Sequence, residues 1–183
     1  MKGVVRAFFV VPFGYFKLSL IKLFHWKHFR FGKLPRISPS TEITVDGGSD
    51  VKIGKKFNIR ARSIIRVRKN ALLIVGDNVF VAENCQITVR EKVYIGDKCQ
   101  IAPNVQMYDH DHDFRAVGGL AAMRFKTAPI EIGQNVWVGA NVVILRGTKI
   151  GDNCVIAAGS VVNGVVPPNT VFIQKRESCV KKI

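Results

Sequence analysis

The residues best suited to chemistry lie in one short stretch, residues 108–114, of sequence YDHDHDF. It holds the only two histidines after residue 35, His110 and His112, and each is flanked by carboxylates. A neutral imidazole takes a proton from a hydroxyl near pH 7, and a neighbouring carboxylate fixes its tautomer and stabilises the imidazolium. The pattern therefore favours a histidine that acts as a general base in a group-transfer reaction.

Two other interpretations of this stretch stay open. Asp and His side chains also bind zinc or another transition ion, although the pair is spaced HxH and no third histidine lies after residue 35. A polar loop of this composition also forms hydrogen bonds that are purely local. We expect no metal, and we expect the pair to serve catalysis.

A six-residue repeat of aliphatic residues surrounds the histidine stretch. Its positions are Ile53, Ile59, Ile65, Val75, Val81, Ile87, Ile95, Ile101, Met107, Ile132, Val138, Ile144, Ile150, Ile156 and Val162. A helix has a period of 3.6 and a strand a period of 2, so neither explains the spacing. A coil of three short parallel strands, with a turn every six residues, does explain it and buries the aliphatic column.

Glycine, alanine, aspartate and asparagine follow many of these aliphatic residues, as in Gly76-Asp77-Asn78. We expect the glycine to lie in the turn, where φ can be positive, and Asp or Asn to tolerate the left-handed region. The repeat is interrupted once, by an insertion at residues 108–129 that holds the histidines. Long irregular loops of this kind are usually functional or disordered.

The cysteines fit the same repeat. Cys85, Cys99 and Cys154 each lie four residues after an aliphatic position, whereas Cys179 lies in the tail. The chain has no CxxC pair, so the spacing does not indicate a zinc site. We expect the first three to be buried structural thiols.

Charge is concentrated at the N-terminal end of the chain. The 183 residues carry a net charge of +15, and residues 1–41 hold eight Lys or Arg and no Asp or Glu. Because 48% of the residues are hydrophobic, the chain can bury a core and is not disordered. The excess of positive charge predicts an anionic partner, and the wealth of Phe and Leu in the charged segment argues against nucleic acid.

The first forty residues mix aromatic, aliphatic and basic side chains. The longest uncharged run, Ala7–Phe16, has ten residues and contains Pro12 and Gly14, which is too short for a membrane-spanning helix. A signal peptide would need a small-residue cleavage site that this segment lacks. Two interpretations remain: a helix in a bilayer interface, or a helix packed on the domain with its lysines reaching outward.

The repeat makes the chain resemble the hexapeptide-repeat acyltransferases, which fold as a left-handed parallel β-helix. The resemblance covers roughly residues 51–173 and is clearest at 132–139 (IGQNVWVG) and 150–154 (IGDNC). The most similar members are maltose- and galactoside-type sugar O-acetyltransferases and the short acetyltransferases of capsule and O-antigen pathways. The resemblance implies a homotrimer with acetyl-CoA bound between adjacent β-helices as the acyl donor, and no metal.

The resemblance also implies site residues around the histidines. Aligned without gaps, His112 takes the position of the family's general base, and His110 is the second choice. Acceptor-binding roles fall to Asn84, Tyr108, Asp109 and Arg90. The Asp that the family pairs with this Asn is replaced here, near Arg90, so a different sugar is expected.

For coenzyme A, the resemblance implies contacts along a run of small residues and near one aromatic ring. The expected cofactor-binding residues are Trp137, Gly139, Ala140, Ala158, Gly159, Ser160, Lys175 and Arg176. Ala140 stands where the family often has serine, so a backbone N–H would have to stabilise the oxyanion. The residues that the family carries after its last full coil are also replaced in this chain. The basic residues at 175 and 176 are therefore the expected source of contacts to the coenzyme A phosphate.

These expectations combine into one functional hypothesis. Residues 1–40 form a basic amphipathic helical segment and linker, 41–173 a left-handed β-helix, and 174–183 a basic tail. The protein would transfer acetyl from acetyl-CoA to a sugar hydroxyl for capsule, O-antigen or exopolysaccharide synthesis. It would work in the cytoplasm, with peripheral contact to the inner face of the membrane through residues 1–36. An amino-sugar N-acetyltransferase, or a non-catalytic scaffold that binds membrane or polyanion, is the alternative.

Overall fold

The chain winds into a parallel β-helix with three faces, each face being one parallel sheet. The computed structural model describes residues 2–175. The first face consists of β1 (Phe29–Phe31), β4 (Asp50–Ile53), β7 (Leu72–Val75), β10 (Lys92–Ile95), β15 (Ile130–Ile132), β18 (Lys149–Ile150) and β21 (Val165–Val166). The second consists of β2 (Arg36–Ile37), β5 (Asn58–Ile59), β8 (Phe80–Val81), β11 (Gln100–Ile101), β16 (Trp137–Val138), β19 (Val155–Ile156) and β22 (Val171–Phe172). The third consists of β3 (Glu42–Val45), β6 (Ile64–Val67), β9 (Gln86–Val89), β12 (Gln106–Tyr108), β17 (Val143–Leu145) and β20 (Val161–Val162).

The aliphatic repeat forms the core of this β-helix. Ile53, Val75, Ile95 and Ile132 stack in register on the first face, and each is at most 5% exposed. The other two faces contribute similar columns, so the interior is a continuous aliphatic cluster. The predicted all-β solenoid with an N-terminal helix is confirmed, and the architecture is consistent with the left-handed β-helix that the repeat indicates.

The glycines of the repeat serve a different purpose from the one expected. The left-handed conformation belongs to the residue two places later, as at Asn78 with φ of 57°. Gly76 is instead required because a Cβ there would lie 2.3 Å from Asp97 Oδ1 and 2.8 Å from the Asp97 nitrogen of the next coil. The close stacking of coils therefore selects glycine, and the turn selects asparagine.

The three thiols of the repeat are buried, as predicted. Cys85, Cys99 and Cys154 are at most 2% exposed, and the Sγ atoms lie 3.0–3.2 Å from backbone oxygens of the following coil. Burial raises the pKa of the Cys85 and Cys99 thiols to about 11. Cys179 lies outside the described residues.

The N-terminal helix α1 (Lys2–Phe24) covers the first coil. Leu18 is fully buried in the same cluster as Phe29 and Ile37. Gly14 lies so close to Pro35 that a Cβ would be 2.6 Å from the Pro35 oxygen. The β-helix therefore begins at Phe29 rather than at the expected residue 41, because the aromatic residues of β1 provide a first rung beneath the helix. Within residues 2–175, no helix is both long enough and apolar enough to cross a membrane.

The insertion leaves the β-helix after β12 and returns at β15. It forms an antiparallel hairpin of β13 (His110–His112) and β14 (Phe125–Thr127), with a single 3₁₀ turn at Gly119–Ala122 between them. His110 pairs with Thr127 and His112 with Phe125. The hairpin gives the histidines a fixed backbone on the edge of the solenoid.

Candidate active site

The site is organised around a carboxylate at the base of the hairpin, Asp109. Its side chain is 0% exposed, and its oxygens accept hydrogen bonds from the backbone N–H groups of Arg90, Glu91 and Lys92 at 2.7–3.0 Å. A buried carboxylate is stable only when it is satisfied in this way. Asp109 thus satisfies the backbone of the turn at Arg90–Lys92, and its buried side chain has no exposed surface with which to bind an acceptor, which differs from the expected role.

His110 is the histidine that this carboxylate orients. Its Nδ1 lies 3.1 Å from Asp109 Oδ1, and its side chain is only 12% exposed. An ionised carboxylate can only accept, so Nδ1 donates and Nε2 keeps its free lone pair. Burial lowers the pKa of His110 below its ordinary value of 6.5, against the raising effect of Asp109. His110 is therefore neutral at pH 7, in the tautomer that a general base requires.

His112 lies on the outer part of the hairpin, in different surroundings. The side chain is exposed, and its ring centroid is 4.6 Å from that of Phe125. The His112 imidazole makes no hydrogen bond within the described part of the chain. The sequence ranked His112 first by alignment, whereas the geometry gives His110 the carboxylate partner, the burial and the lowered pKa.

Two of the expected acceptor-binding residues lie beside His110. The Tyr108 ring stands edge-on to the imidazole at a centroid distance of 6.1 Å. Burial raises the pKa of Tyr108, so its hydroxyl remains a hydrogen-bond donor. The Arg90 guanidinium lies 3.3 Å from the centroid of the Phe125 ring, which places a cation on the same cluster.

Asn84 does not join this cluster. It occupies a turn between the second and third faces with φ of 58°, and its Oδ1 accepts a hydrogen bond of 2.8 Å from Arg62 Nε. The left-handed turn accounts for an asparagine at this position without any ligand. Within one chain, Asn84 lies at a different corner of the β-helix from His110.

The expected coenzyme A residues do come together, at the corner between the second and third faces. We call residues 139–141 and 157–160 of two successive coils the small-residue corner. Gly159 N donates to the Ala140 oxygen at 2.8 Å, and a Cβ at Gly139 would lie 2.6 Å from the Ala158 nitrogen. The Trp137 ring, 56% exposed, lies on the adjacent second face.

Not every member of that set is available to a ligand. Ser160 is 2% exposed, and its hydroxyl donates to the Ala157 oxygen at 2.7 Å. It therefore closes the turn. Lys175 is exposed near the end of the last coil, and Arg176 lies outside the described residues.

The histidine site and the small-residue corner occupy different corners of the triangular coil. His110 follows the C-terminal end of the third-face strand β12, whereas the small-residue corner precedes the third-face strand β17. A third-face strand separates the two corners by roughly 15 Å.

Sequence reasoning missed Phe125 and Arg146. Phe125 lies 5.5 Å from His110 and 4.6 Å from His112 between ring centroids, and Arg146 pairs with Asp111. Phe125 lies outside the six-residue repeat, so only a prediction of the hairpin pairing would have found it. Within residues 2–175, no group of three or more His, Cys, Asp or Glu side chains is arranged to hold a metal ion.

The chain is similar to known proteins in the region of the six-residue repeat. The family model of the bacterial transferase hexapeptide (six repeats) matches residues 129–164. Galactoside O-acetyltransferase of Escherichia coli K12 is 42% identical over 128 residues, which cover 68% of this chain and 50% of that protein. The chain therefore belongs to the hexapeptide-repeat transferase family.

The chain is also similar to a solved structure and, over a shorter segment, to a second curated protein. The crystal structure of a hexapeptide-repeat acetyltransferase from Vibrio cholerae, complexed with acetyl coenzyme A, has 27% identity and a TM-score of 0.56, and covers 85% of this chain and 71% of that one. An E. coli K12 protein named as a candidate lipopolysaccharide-biosynthesis O-acetyltransferase is 44% identical over 57 residues, which cover 31% of this chain and 29% of that protein. The chain spans 50–60% of the length of the first curated relatives that it matches.

Proposed function

We propose that the protein is an acetyl-CoA-dependent O-acetyltransferase that acts on a sugar hydroxyl, with His110 as the general base. The observation that carries this proposal is the Asp109–His110 pair, held at 3.1 Å in the insertion of the β-helix. Galactoside O-acetyltransferase, the 42%-identical relative, supports the reaction class. The acetyl-CoA complex of the Vibrio cholerae structure supports the donor.

The chemistry is a direct transfer. Nε2 of His110 removes the proton of the acceptor hydroxyl as its oxygen attacks the thioester carbonyl, and Asp109 stabilises the imidazolium that forms. The tetrahedral intermediate then collapses, the C–S bond breaks, and the imidazolium returns the proton to the leaving thiolate. The described thiols are buried away from the loop, so none of them is available to carry an acyl group.

The acceptor contacts come from the groups around His110. The Tyr108 hydroxyl, which donates to Gln106 Oε1 at 2.8 Å, can accept a hydrogen bond from the sugar, and the Arg90 guanidinium on the Phe125 ring offers a positive charge. A hydroxyl and a cation suit a sugar that carries an acidic or phosphate group. His112 lies two hairpin pairs further out, where it contributes to the acceptor pocket or serves as the base in place of His110.

The separation of the two corners supports a homotrimer whose active sites are shared between neighbouring chains. A cyclic arrangement places the corner of one chain against the next, and every such interface then forms the same site. The apolar tip of the insertion supports this assembly, since Val117 is 92% exposed and Phe114 is 65% exposed on a single chain. Acetyl-CoA would bind along the small-residue corner and Trp137 of one chain, opposite His110 of its neighbour.

The biological setting is proposed from the relatives and the charge. The 44%-identical segment shared with the lipopolysaccharide-biosynthesis candidate supports a role in capsule, O-antigen or exopolysaccharide assembly. Acetyl-CoA and activated sugars are made in the cytoplasm, so we place the enzyme there, with peripheral contact to the inner face of the cell membrane through residues 1–36.

The product distinguishes the candidate functions. The purified chain is incubated with acetyl-CoA and a panel of neutral, acidic, amino and nucleotide-linked sugars, and free coenzyme A and product mass are measured. We expect coenzyme A release that depends on a sugar without an amine, and a product whose acetyl group is removed by mild alkali. An alkali-stable product formed only from amino sugars would show N-acetylation, and an intact trimer that consumes no acetyl-CoA would favour the scaffold.

A further inference from the structure

Helix α1 carries apolar residues on two opposite sides. One side packs on the first coil through Gly14, Leu18 and Ile21. The opposite side and the following turn expose large apolar side chains to solvent. These residues are Phe16 (62% exposed), Leu20 (45%), Leu23 (70%), Phe24 (80%) and Trp26 (69%). The segment is therefore not amphipathic in the expected sense, because its outer side is as apolar as its inner side.

The inner side holds the helix firmly in place. Tyr15 accepts a hydrogen bond of 2.8 Å from Leu34 N, and Lys17 Nζ donates to the Thr41 oxygen. These contacts involve the linkers on either side of β2, so the helix covers the open end of the β-helix. The outer side consequently points away from the coils along the solenoid axis. We call that outer side, residues 16, 20, 23, 24 and 26, the end face.

Basic residues surround the end face. Lys22, Lys27, Arg30 and Lys33 are all exposed, and Lys27 Nζ lies 5.0 Å from the Trp26 ring centroid. The first acidic residue of the chain is Glu42. An exposed apolar surface within a mainly basic rim, where Asp50 of the second coil pairs with His28 at 3.0 Å, complements a bilayer whose surface carries anionic lipids.

We propose that the end face docks the protein on an anionic lipid bilayer, with the β-helix axis standing away from the membrane. In this orientation the apolar rings enter the acyl boundary and the lysines contact lipid phosphates. The histidine hairpin leaves the fourth coil, three strand spacings above the first, so it stands about 14 Å above the docking coil. The inference rests on the proposed function in one respect: an acceptor sugar attached to a membrane lipid would be presented at this height.

Vesicle binding tests the docking surface. The full chain is mixed with vesicles of phosphatidylcholine alone, or of phosphatidylcholine with phosphatidylglycerol, and the bound fraction is measured by flotation. We expect binding to the anionic vesicles that weakens with salt. The variant Leu23→Ser/Phe24→Ser should lower the partition coefficient at least about tenfold. The matched control, Val165→Ser/Val171→Ser, removes residues of similar exposure at the other end of the β-helix and should bind like wild type.

Three results would overturn the proposal. Equal binding to neutral and anionic vesicles removes the charge argument, and unchanged binding of Leu23→Ser/Phe24→Ser removes the end face. A lipid-free assembly that dissociates in this variant, with no vesicle binding by wild type, shows that the face contacts a second copy instead. Acetyl transfer to a water-soluble acceptor is measured in parallel. It should be retained in the variant, so a failure of docking is distinguishable from a failure of the proposed chemistry.

Discussion

His110 and His112 lie two residues apart and experience different environments. Both are near Phe125, but only His110 is buried and hydrogen-bonded to a carboxylate. Sequence alignment ranked His112 first, whereas the difference that favours His110 arises from Asp109, whose burial depends on the backbone of a turn 17–19 residues earlier. The presence of two histidines in the insertion was predictable from the sequence. The burial and the hydrogen bond that distinguish His110 from His112 were not.

The pH dependence of turnover follows from the His110 environment. The neutral imidazole is the active form, and burial lowers its pKa below 6.5. We therefore expect kcat/KM to be constant near neutral pH and to fall as the pH drops through that lowered pKa. Asp109→Asn should reduce kcat about 100-fold or more. It should also move the acid limb to still lower pH, since the group that raises the pKa is lost.

The control for this variant is Asp111→Asn, two residues further along the chain. Asp111 is paired with Arg146 and does not contact His110, so its variant should keep the acid limb in place. An acid limb that moves equally in both variants, or in neither, would contradict the assignment of Asp109 as the positioning residue for His110.

The buried thiols give a second test at the scale of single residues. Burial holds the pKa of Cys85 and Cys99 at about 11, and a buried thiol is protected from reagents. In a Cys179→Ser background, we expect no reaction with Ellman's reagent at pH 8 in the native protein and reaction of the three remaining thiols after denaturation. Rapid labelling of the native protein would show that the coils open readily.

At the scale of elements, the six-residue repeat predicts nearly all of the β-helix. Each aliphatic position of the repeat lies in a strand, so the pattern along the sequence agrees with the stacking of strands between coils. The hairpin and the first coil were not predicted because they lack that repeat: β14 pairs across the insertion, and β1 is aromatic. The glycines were located correctly, but their role depends on contacts between coils that a single turn does not reveal.

The stacking role of the glycines predicts a difference between two alanine variants. Gly76→Ala places a Cβ 2.3 Å from Asp97 Oδ1, so the coils must separate locally. We expect a loss of about 1–3 kcal/mol in the free energy of unfolding. Gly47→Ala has no atom within 4 Å of the new Cβ and should change stability by less than about 0.5 kcal/mol. Urea unfolding of both measures the difference, and equal stabilities would refute the stacking explanation.

At the scale of the whole molecule, the separation of the two corners supports the proposed sharing of each site between chains. Within one chain, the small-residue corner and His110 lie roughly 15 Å apart, a separation that the six-residue periodicity does not specify. The periodicity predicted the solenoid, whereas the resemblance to the family predicted the trimer. The distance between the corners supports the proposal that neighbouring chains share each site.

Mixed assemblies test the shared site. His110→Ala removes the base, and Ala158→Arg blocks the small-residue corner at an exposed position, so each homotrimer should be inactive. Refolding equal amounts together should restore about a quarter of the wild-type activity, because a quarter of the interfaces then pair two intact halves. A mixture without activity, despite correct mass, would show that each chain carries a complete site.

In the proposed mechanism, His110 removes the proton of a sugar hydroxyl during acetyl transfer. Its most direct test is the rate of coenzyme A release with saturating acetyl-CoA and an accepted sugar, for wild type, His110→Ala and His112→Ala. We expect His110→Ala to lose about 10²–10⁴-fold in kcat and His112→Ala to lose far less. A His110→Ala enzyme as active as wild type, beside an inactive His112→Ala enzyme, would contradict the account and assign the base to His112.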